Sequence, residues 1–293
     1  GGCSSEWGFS EGPQPLGIFR PVTLVETDEV RIEPFGVHIW NNEKADSVFV
    51  DLEIKNYSKH LQEIEVVNKL SDADGRQTFR LTQKLTLKPG ELRIIRQQSP
   101  VKDASRWSTE KPYLYKLASM IKRSGKTTDE VSTPFGIRTL SWPVKRFTPE
   151  GPVVGSHDGR FFLNGIPTFL NGVCEYEHQF GQSHAFSKEQ VLARVKGLKA
   201  FRDAHQPHHL DYQTYFDREG MVWWTQFSAH VWYDTPEFRE NFKKLLRQWV
   251  KERRNSPSLS LWGLQNESTL PREFAEECCD IIREMDPTAV TMR

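Results

Sequence analysis

The sequence predicts a multidomain chain: an immunoglobulin-like β-sandwich followed by βα units that would build a parallel barrel. Three observations predict it. Between Val22 and Ile137 apolar residues recur with period two, broken by turn residues. From about Ser187 onward, helical stretches alternate with short apolar strands, the rhythm of βα units in a parallel sheet. The last of these strands, Leu259-Ser-Leu-Trp-Gly-Leu-Gln-Asn266, runs straight into Glu267. A carboxylate and an amide thus stand together at a strand end, where a parallel α/β barrel keeps its chemistry.

The elements follow in order. Ser47 to Ile54 (SVFVDLEI) alternates as a half-buried strand should, and Leu114 to Ile121 reads as another. Leu85 to Leu92 reads as two short strands around the Pro89-Gly90 turn. Several short strands at this spacing, without a helix, make a sandwich of immunoglobulin-like size, and the cysteine pair of antibody domains is absent. Pro143, Pro149, Gly151 and Pro152 mark a connector, and Arg160 to Leu170 is a hairpin on the Asn164-Gly165 turn. Helices are expected over Ser187–Leu198, about Pro207–Glu219, Thr235–Arg253 and Pro271–Glu284. Ser187 with Gln190 fits a capping box, and Pro271 fits a first helical turn. Between the helices lie the strands Ala200–His205 and Met221–Phe227; in the latter, consecutive Trp223 and Trp224 face opposite ways and read as core.

Composition narrows the function classes. With 39 basic and 39 acidic side chains, no field would draw the chain to nucleic acid or an anionic membrane. No apolar run approaches the roughly 20 residues that span a bilayer, so neither partner is expected. Gly1-Gly-Cys-Ser-Ser lacks the regions of a signal peptide, yet export stays open, and the bacterial periplasm or exterior is favoured over the cytoplasm. The four cysteines have neither disulfide density nor zinc spacing, and Cys278 and Cys279 read as packing residues. Asn56-Tyr-Ser58 fits a glycosylation pattern, a short and weak signal. His205, His208 and His209 invite a metal reading; but a helix starting at Pro207 would send His208 and His209 in different directions, and no acidic cluster accompanies them. Trp232 and Tyr233 fall in a loop where an aromatic face could line a pocket. On position alone, Glu267 reads equally well as a catalytic acid and as a cap of the following helix.

The chain resembles the middle of a family 2 glycoside hydrolase, the group of β-galactosidases, β-glucuronidases and β-mannosidases. Lys111-Pro-Tyr-Leu-Tyr115 and Phe135-Gly-Ile-Arg138 resemble the late strands of that family's sandwich. Phe162-Leu-Asn-Gly165 and Leu170-Asn-Gly-Val173 resemble its barrel entrance, and Gly17-Ile-Phe-Arg-Pro-Val22 the end of its jelly-roll domain. Arg202-Asp-Ala-His205-Gln-Pro207 matches its Arg-x-x-His-x-Pro, Asp217-Arg-Glu-Gly220 its Asp-x-x-Gly, and Gln265-Asn266-Glu267-Ser268 its Asn-Glu. The resemblance implies residues 1–21 as the tail of a jelly roll, 22–140 as the sandwich and 141–293 as the first half of a (β/α)8 TIM barrel. A fifth strand is expected to begin within Thr288–Arg293, so the nucleophilic glutamate is expected beyond this chain. Thr225-Gln226 stands where many relatives carry an acidic residue able to bind a metal, so no metal and no cofactor is expected.

The implied function is that of a retaining exo-β-glycosidase acting on a carbohydrate substrate. In that chemistry two carboxyl groups about 5–5.5 Å apart divide the work: one protonates the leaving oxygen, the other attacks the anomeric carbon. By resemblance Glu267 is the acid/base, its carboxyl needing an apolar neighbour such as Trp262. Asn266 binds the sugar 2-hydroxyl, His205 other hydroxyls, and Arg202 supports the loops around the site. Glu177 and His178 match family residues that line the site, with Trp232 as a pocket wall. As it stands the chain is expected not to turn over substrate, and an open half-barrel is expected to self-associate, as a homo-oligomer or an aggregate. Two other classes remain: a non-catalytic carbohydrate-binding or scaffolding protein with a degenerate barrel, and an endo-acting glycanase with Asn-Glu after a fourth strand.

Overall fold

The computed structural model describes residues 18, 22–142, 144–148, 151–154, 160–177, 186–229 and 233–289. The chain divides into two compact units, Thr23–Thr139 with Asn255–Pro257, and Leu140–Arg254 with Ser258–Arg293 and the N-terminal residues.

The first unit is a β-sandwich. Strands β1 (Val30–Asn41), β2 (Ser47–Asn56) and β5 (Leu92–Pro100) form one antiparallel sheet in the order β1-β2-β5. Strands β3 (Gln62–Ser71), β4 (Gln77–Leu87), β6 (Tyr115–Arg123) and β7 (Lys126–Phe135) form the other, in the order β4-β3-β6-β7. The sequence alternation becomes geometry in β2, where Val48, Val50, Leu52 and Ile54 are fully buried and the residues between them face outward. The Pro89-Gly90 turn joins β4 to β5, which belong to different sheets, so the chain crosses the sandwich there.

Several polar groups inside the sandwich are paired. Ser119 donates to Asn68 Oδ1 at 2.6 Å, and Asn68 Nδ2 donates to Gln97 Oε1 at 2.9 Å, linking the two sheets. Asn56, of the glycosylation pattern, is completely buried; its amide donates to the carbonyls of His60, Leu87 and Lys88 and its oxygen accepts from Ser58. That side chain holds the β2 end and the β4–β5 turn together and is closed to modification in the folded state.

The second unit opens with short strands, β8 (Leu140–Ser141), β9 (Val144–Thr148), β10 (Gly151–Val154), β11 (Phe162–Leu163) and β12 (Ile166–Pro167). The β11–β12 hairpin turns on Asn164 and Gly165, both at positive φ (55° and 77°), the conformation of a two-residue turn with mirror-image twist. A parallel four-stranded sheet follows, β13 (Gly172–Tyr176), β14 (Ala200–Ala204), β15 (Val222–Ala229) and β16 (Leu259–Asn266), in sequential order. Helices α1 (Lys188–Arg194), α2 (Asp211–Glu219), α3 (Pro236–Arg253) and α4 (Arg272–Met285) complete the βα units of a partial barrel. Trp249 stacks edge-on to Trp262 and Phe227 to Phe242, and Phe242 to Phe274, so aromatic rings fill the space between sheet and helices.

Helix starts follow their caps, with two corrections. Ser187 and Gln190 form the reciprocal capping box, and Thr235 accepts from Phe238 N ahead of Pro236. Pro207 does not begin a helix: residues 207–209 are non-helical and α2 starts at Asp211, because His208 is drawn inward to Asp203. Pro271 is the N-cap of α4 at ψ 136°, one residue ahead of the first turn. The expected jelly-roll tail lies almost wholly outside the described residues, as does most of the expected fifth strand.

Asn56→Ala leaves three carbonyls, that of Leu87 buried, without their donor. Chemical denaturation of the sandwich should show a loss of about 2–3 kcal/mol, with Ser58→Ala costing less.

Candidate active site

The alternation of β13–β16 sorts side chains between the helix layer and the barrel interior. On β14, Phe201 and Asp203 face the helices while Arg202 faces inward; on β15, Trp223, Thr225 and Phe227 face the helices while Trp224 and Gln226 face inward. The two consecutive tryptophans therefore have separate fates. Trp223 is fully buried core, whereas Trp224 lies under the Arg202 guanidinium, 4.6 Å from its ring centre.

Asp203 is the anchor on the helix side. Its carboxylate is fully buried and accepts from Trp223 Nε1 at 2.7 Å, Thr225 Oγ1 at 2.9 Å and the backbone N–H of Gln226 at 3.3 Å. The His208 ring nitrogen Nδ1 lies 3.4 Å from Oδ1, the oxygen that accepts from Trp223. Arg253, nearly sealed at the end of α3, donates to the His208 carbonyl at 3.0 Å and to Glu252 at 2.9 Å. Burial pushes its guanidinium pKa down. One carboxylate thus fixes β14 to β15 and sets the loop that carries His205.

The inner cluster gathers at the carboxyl ends of the strands. Arg202 Nη2 donates to Asn266 Oδ1 at 2.7 Å and to Gln226 Oε1 at 3.1 Å, and Nη1 lies 3.6 Å from Cys174 Sγ. Among the described residues its hydrogen-bond partners are all neutral. Glu267 follows Asn266 immediately, exposed, with φ at 46°, a left-handed backbone that few non-glycine residues adopt. His205 lies just past β14 with its ring edge-on to Tyr176 at 5.3 Å. A recess of about 240 Å³ on the inner face is lined by Cys174, Arg202 and Trp224. A larger one, about 450 Å³, opens on the helix layer around Phe227, Phe242 and Trp249, apart from Asn266 and Glu267.

Other expected site residues stand elsewhere. Glu177 is buried and its carboxylate accepts from His209 N at 2.7 Å, so it ties two loops together. Trp262 is not beside Glu267: it faces the helix layer, where its indole donates to buried Asp286 at 3.0 Å. The inner aromatic is Trp224. His178 and Trp232 lie outside the described residues; Tyr233 is exposed beside Phe238. Asp203, Trp224 and Gln226 were missed as site-builders, although period two on β14 and β15 assigns them to opposite faces. Among the described residues no three His, Cys, Asp or Glu side chains gather as a metal site would require.

Two kinds of thiol flank this region. Cys174 is exposed on β13; desolvation raises its pKa, and the Arg202 guanidinium works against that rise. Cys278, buried in α4, is pushed up to about 12.

The model for Glycosyl hydrolases family 2 matches residues 30–138, and that for the Glycosyl hydrolases family 2 TIM barrel domain matches residues 154–292. A β-galactosidase of Bacteroides ovatus, BoGH2A, is 26% identical over 268 residues, covering 86% of this chain and 30% of its own length. A β-glucuronidase of Bacteroides fragilis is 26% identical over 307 residues, covering 94% and 41%. The crystal structure of a family 2 member from Bacteroides cellulosilyticus superposes with a TM-score of 0.77 at 24% identity, over 90% of this chain and 36% of that one. A Bacteroides uniformis β-glucuronidase gives 0.76 at 20%, over 90% and 34%, a likeness of fold. The chain therefore spans well under half the length of these relatives.

Asp203→Ala strands three buried donors and should lower stability by about 3–5 kcal/mol in urea denaturation; Asp203→Asn, which keeps an acceptor, should cost less. At pH 8 roughly one part in ten thousand of Cys278 is thiolate, so iodoacetamide should label Cys174 and spare Cys278 in the native protein. Arg202→Gln removes the cation that favours the Cys174 thiolate, and peptide mapping should show slower labelling there.

Proposed function

Because this chain belongs to glycosyl hydrolase family 2, we propose that the protein is a retaining exo-β-glycosidase, cleaving terminal β-linked sugars by double displacement. Glu267 protonates the leaving oxygen in the first step and takes the proton of the incoming water in the second. Asn266 hydrogen-bonds the sugar 2-hydroxyl, a contact that strengthens in the transition state. His205 meets other hydroxyls at the mouth, and Glu177 acts by holding the loop that brings them there. The nucleophile is not among the residues of this chain; it comes from a later strand of the complete barrel. The functional division is a sandwich over 22–140 and a barrel portion over 141–293.

One observation carries the reading: Asn266 and Glu267 end the fourth strand of a parallel sheet, with Arg202 bonded to the amide oxygen. A cap role for Glu267 is less well supported, since α4 begins at Arg272 with Pro271 as its N-cap. The β-galactosidase and β-glucuronidase relatives point to a β-linked hexose or hexuronide as substrate.

Residues 1–293 alone should hydrolyse p-nitrophenyl β-D-galactoside and β-D-glucuronide no faster than background. Continued through the rest of the barrel, the protein should turn over one of them. Glu267→Gln should then lower kcat/KM for alkyl glycosides roughly 10²–10⁴-fold, and far less for dinitrophenyl glycosides, whose leaving group needs no proton. Turnover by residues 1–293 that disappears in Glu267→Gln would overturn the placing of the nucleophile.

A further inference from the structure

The side chain of Asn266 can present either an acceptor or a donor to the pocket, and the residue at its other end decides which. A guanidinium only donates. Arg202 Nη2, at 2.7 Å, therefore claims Oδ1, leaving Nδ2 as the free end of the amide. The bond is charge-assisted, which favours donation from Nδ2.

Arg202 is held in place by room left on the neighbouring strand. The guanidinium rests on the Trp224 indole and donates to Gln226 Oε1, two residues on the same face of β15. Both lean on Gly263, which pairs with Gln226 in register on β16. A Cβ added at Gly263 would stand 2.6 Å from Trp224 Nε1 and 2.7 Å from Gln226 Oε1, closer than real contacts allow. Gln226 is fully buried, so its carboxamide has no open space to retreat into. Gly263 is absent from the positive-φ glycines, so its backbone does not demand glycine; the space does.

We propose that Gly263, Trp224 and Gln226 are positioning residues: the missing side chain at 263 seats an indole and a carboxamide that pin Arg202, which turns Asn266 Nδ2 toward the substrate. The site then selects a ligand with an acceptor oxygen, a sugar hydroxyl, next to the scissile bond. This rests on the reading of Asn266 as sugar-facing given above.

The test uses the complete protein with Gly263→Ala, Gly263→Ala/Trp224→Phe and Trp224→Leu. Crystal structures of the unliganded variants show whether Arg202 still bonds Asn266. Calorimetry compares methyl β-D-galactoside and methyl β-D-glucuronide with their 2-deoxy analogues, and the readout is the ratio of affinities rather than stability. In the wild type the 2-hydroxyl should be worth about tenfold or more, as a charge-assisted hydrogen bond is. Gly263→Ala should break the Arg202–Asn266 bond and bring the ratio toward one, and the double variant, which restores room on the indole side only, should recover part of it. Trp224→Leu, which adds no bulk, should lower the ratio even if Gly263→Ala does not fold. An Arg202–Asn266 bond that persists in Gly263→Ala, or a ratio unchanged in Trp224→Leu, overturns the proposal. If the bond breaks in the variants while the wild type ignores the 2-hydroxyl of both sugars, the positioning chain is supported and the sugar-facing role of Asn266 is overturned.

Discussion

The buried carboxylate of Asp203 is the constraint on which the barrel portion depends. A desolvated charge is tolerable only when its oxygens are fully occupied. Here the occupants are an indole, a hydroxyl and a backbone amide from β15, with a histidine from the following loop. Meeting that demand fixes the position of β15 against β14. It also delays α2 by several residues, and so sets where His205 and His209 lie. Arg253 reaches the same loop from α3, so a single electrostatic requirement reaches across two βα units.

The inner face depends on that arrangement indirectly. Because Trp223 and Thr225 are committed to Asp203, Trp224 and Gln226 must point inward, and because Gly263 offers them room, they converge beneath Arg202. Asn266 is then held by a guanidinium stacked on an indole. Two other buried aspartates serve the scaffold in the same manner: Asp217 accepts from Ser258 at the start of β16, and Asp286 from Trp262 and Thr288 after α4.

Much of this was legible in the sequence. Period two in Ser47–Ile54, the Asn164-Gly165 turn and the Ser187/Gln190 box all report local rules, and each appears where those rules put it. The Asn266-Glu267 strand end was legible as well. What local patterns could not carry were contacts over long separations. Arg202 with Asn266, Asp203 with Trp223 and Trp262 with Asp286 depend on strand order and register, which no window of sequence contains. Pro207 misled for the same reason: its local preference for a helix start was outweighed by a buried partner. Gly263 was a further signal left unread, since a glycine inside a strand often marks close approach.

Alternation along β14 and β15 has a consequence for how such a protein can change. Residues that keep the scaffold together occupy one parity of these strands, and residues that shape the pocket occupy the other. Drift at positions such as 174 and 224 reshapes the inner recess while the buried aspartate network stays whole. Selectivity and foldedness are thus written on separate faces of the same strands. A lineage, or a mutational library confined to the open positions of the inner parity, can reshape the recess without touching the residues that hold the scaffold.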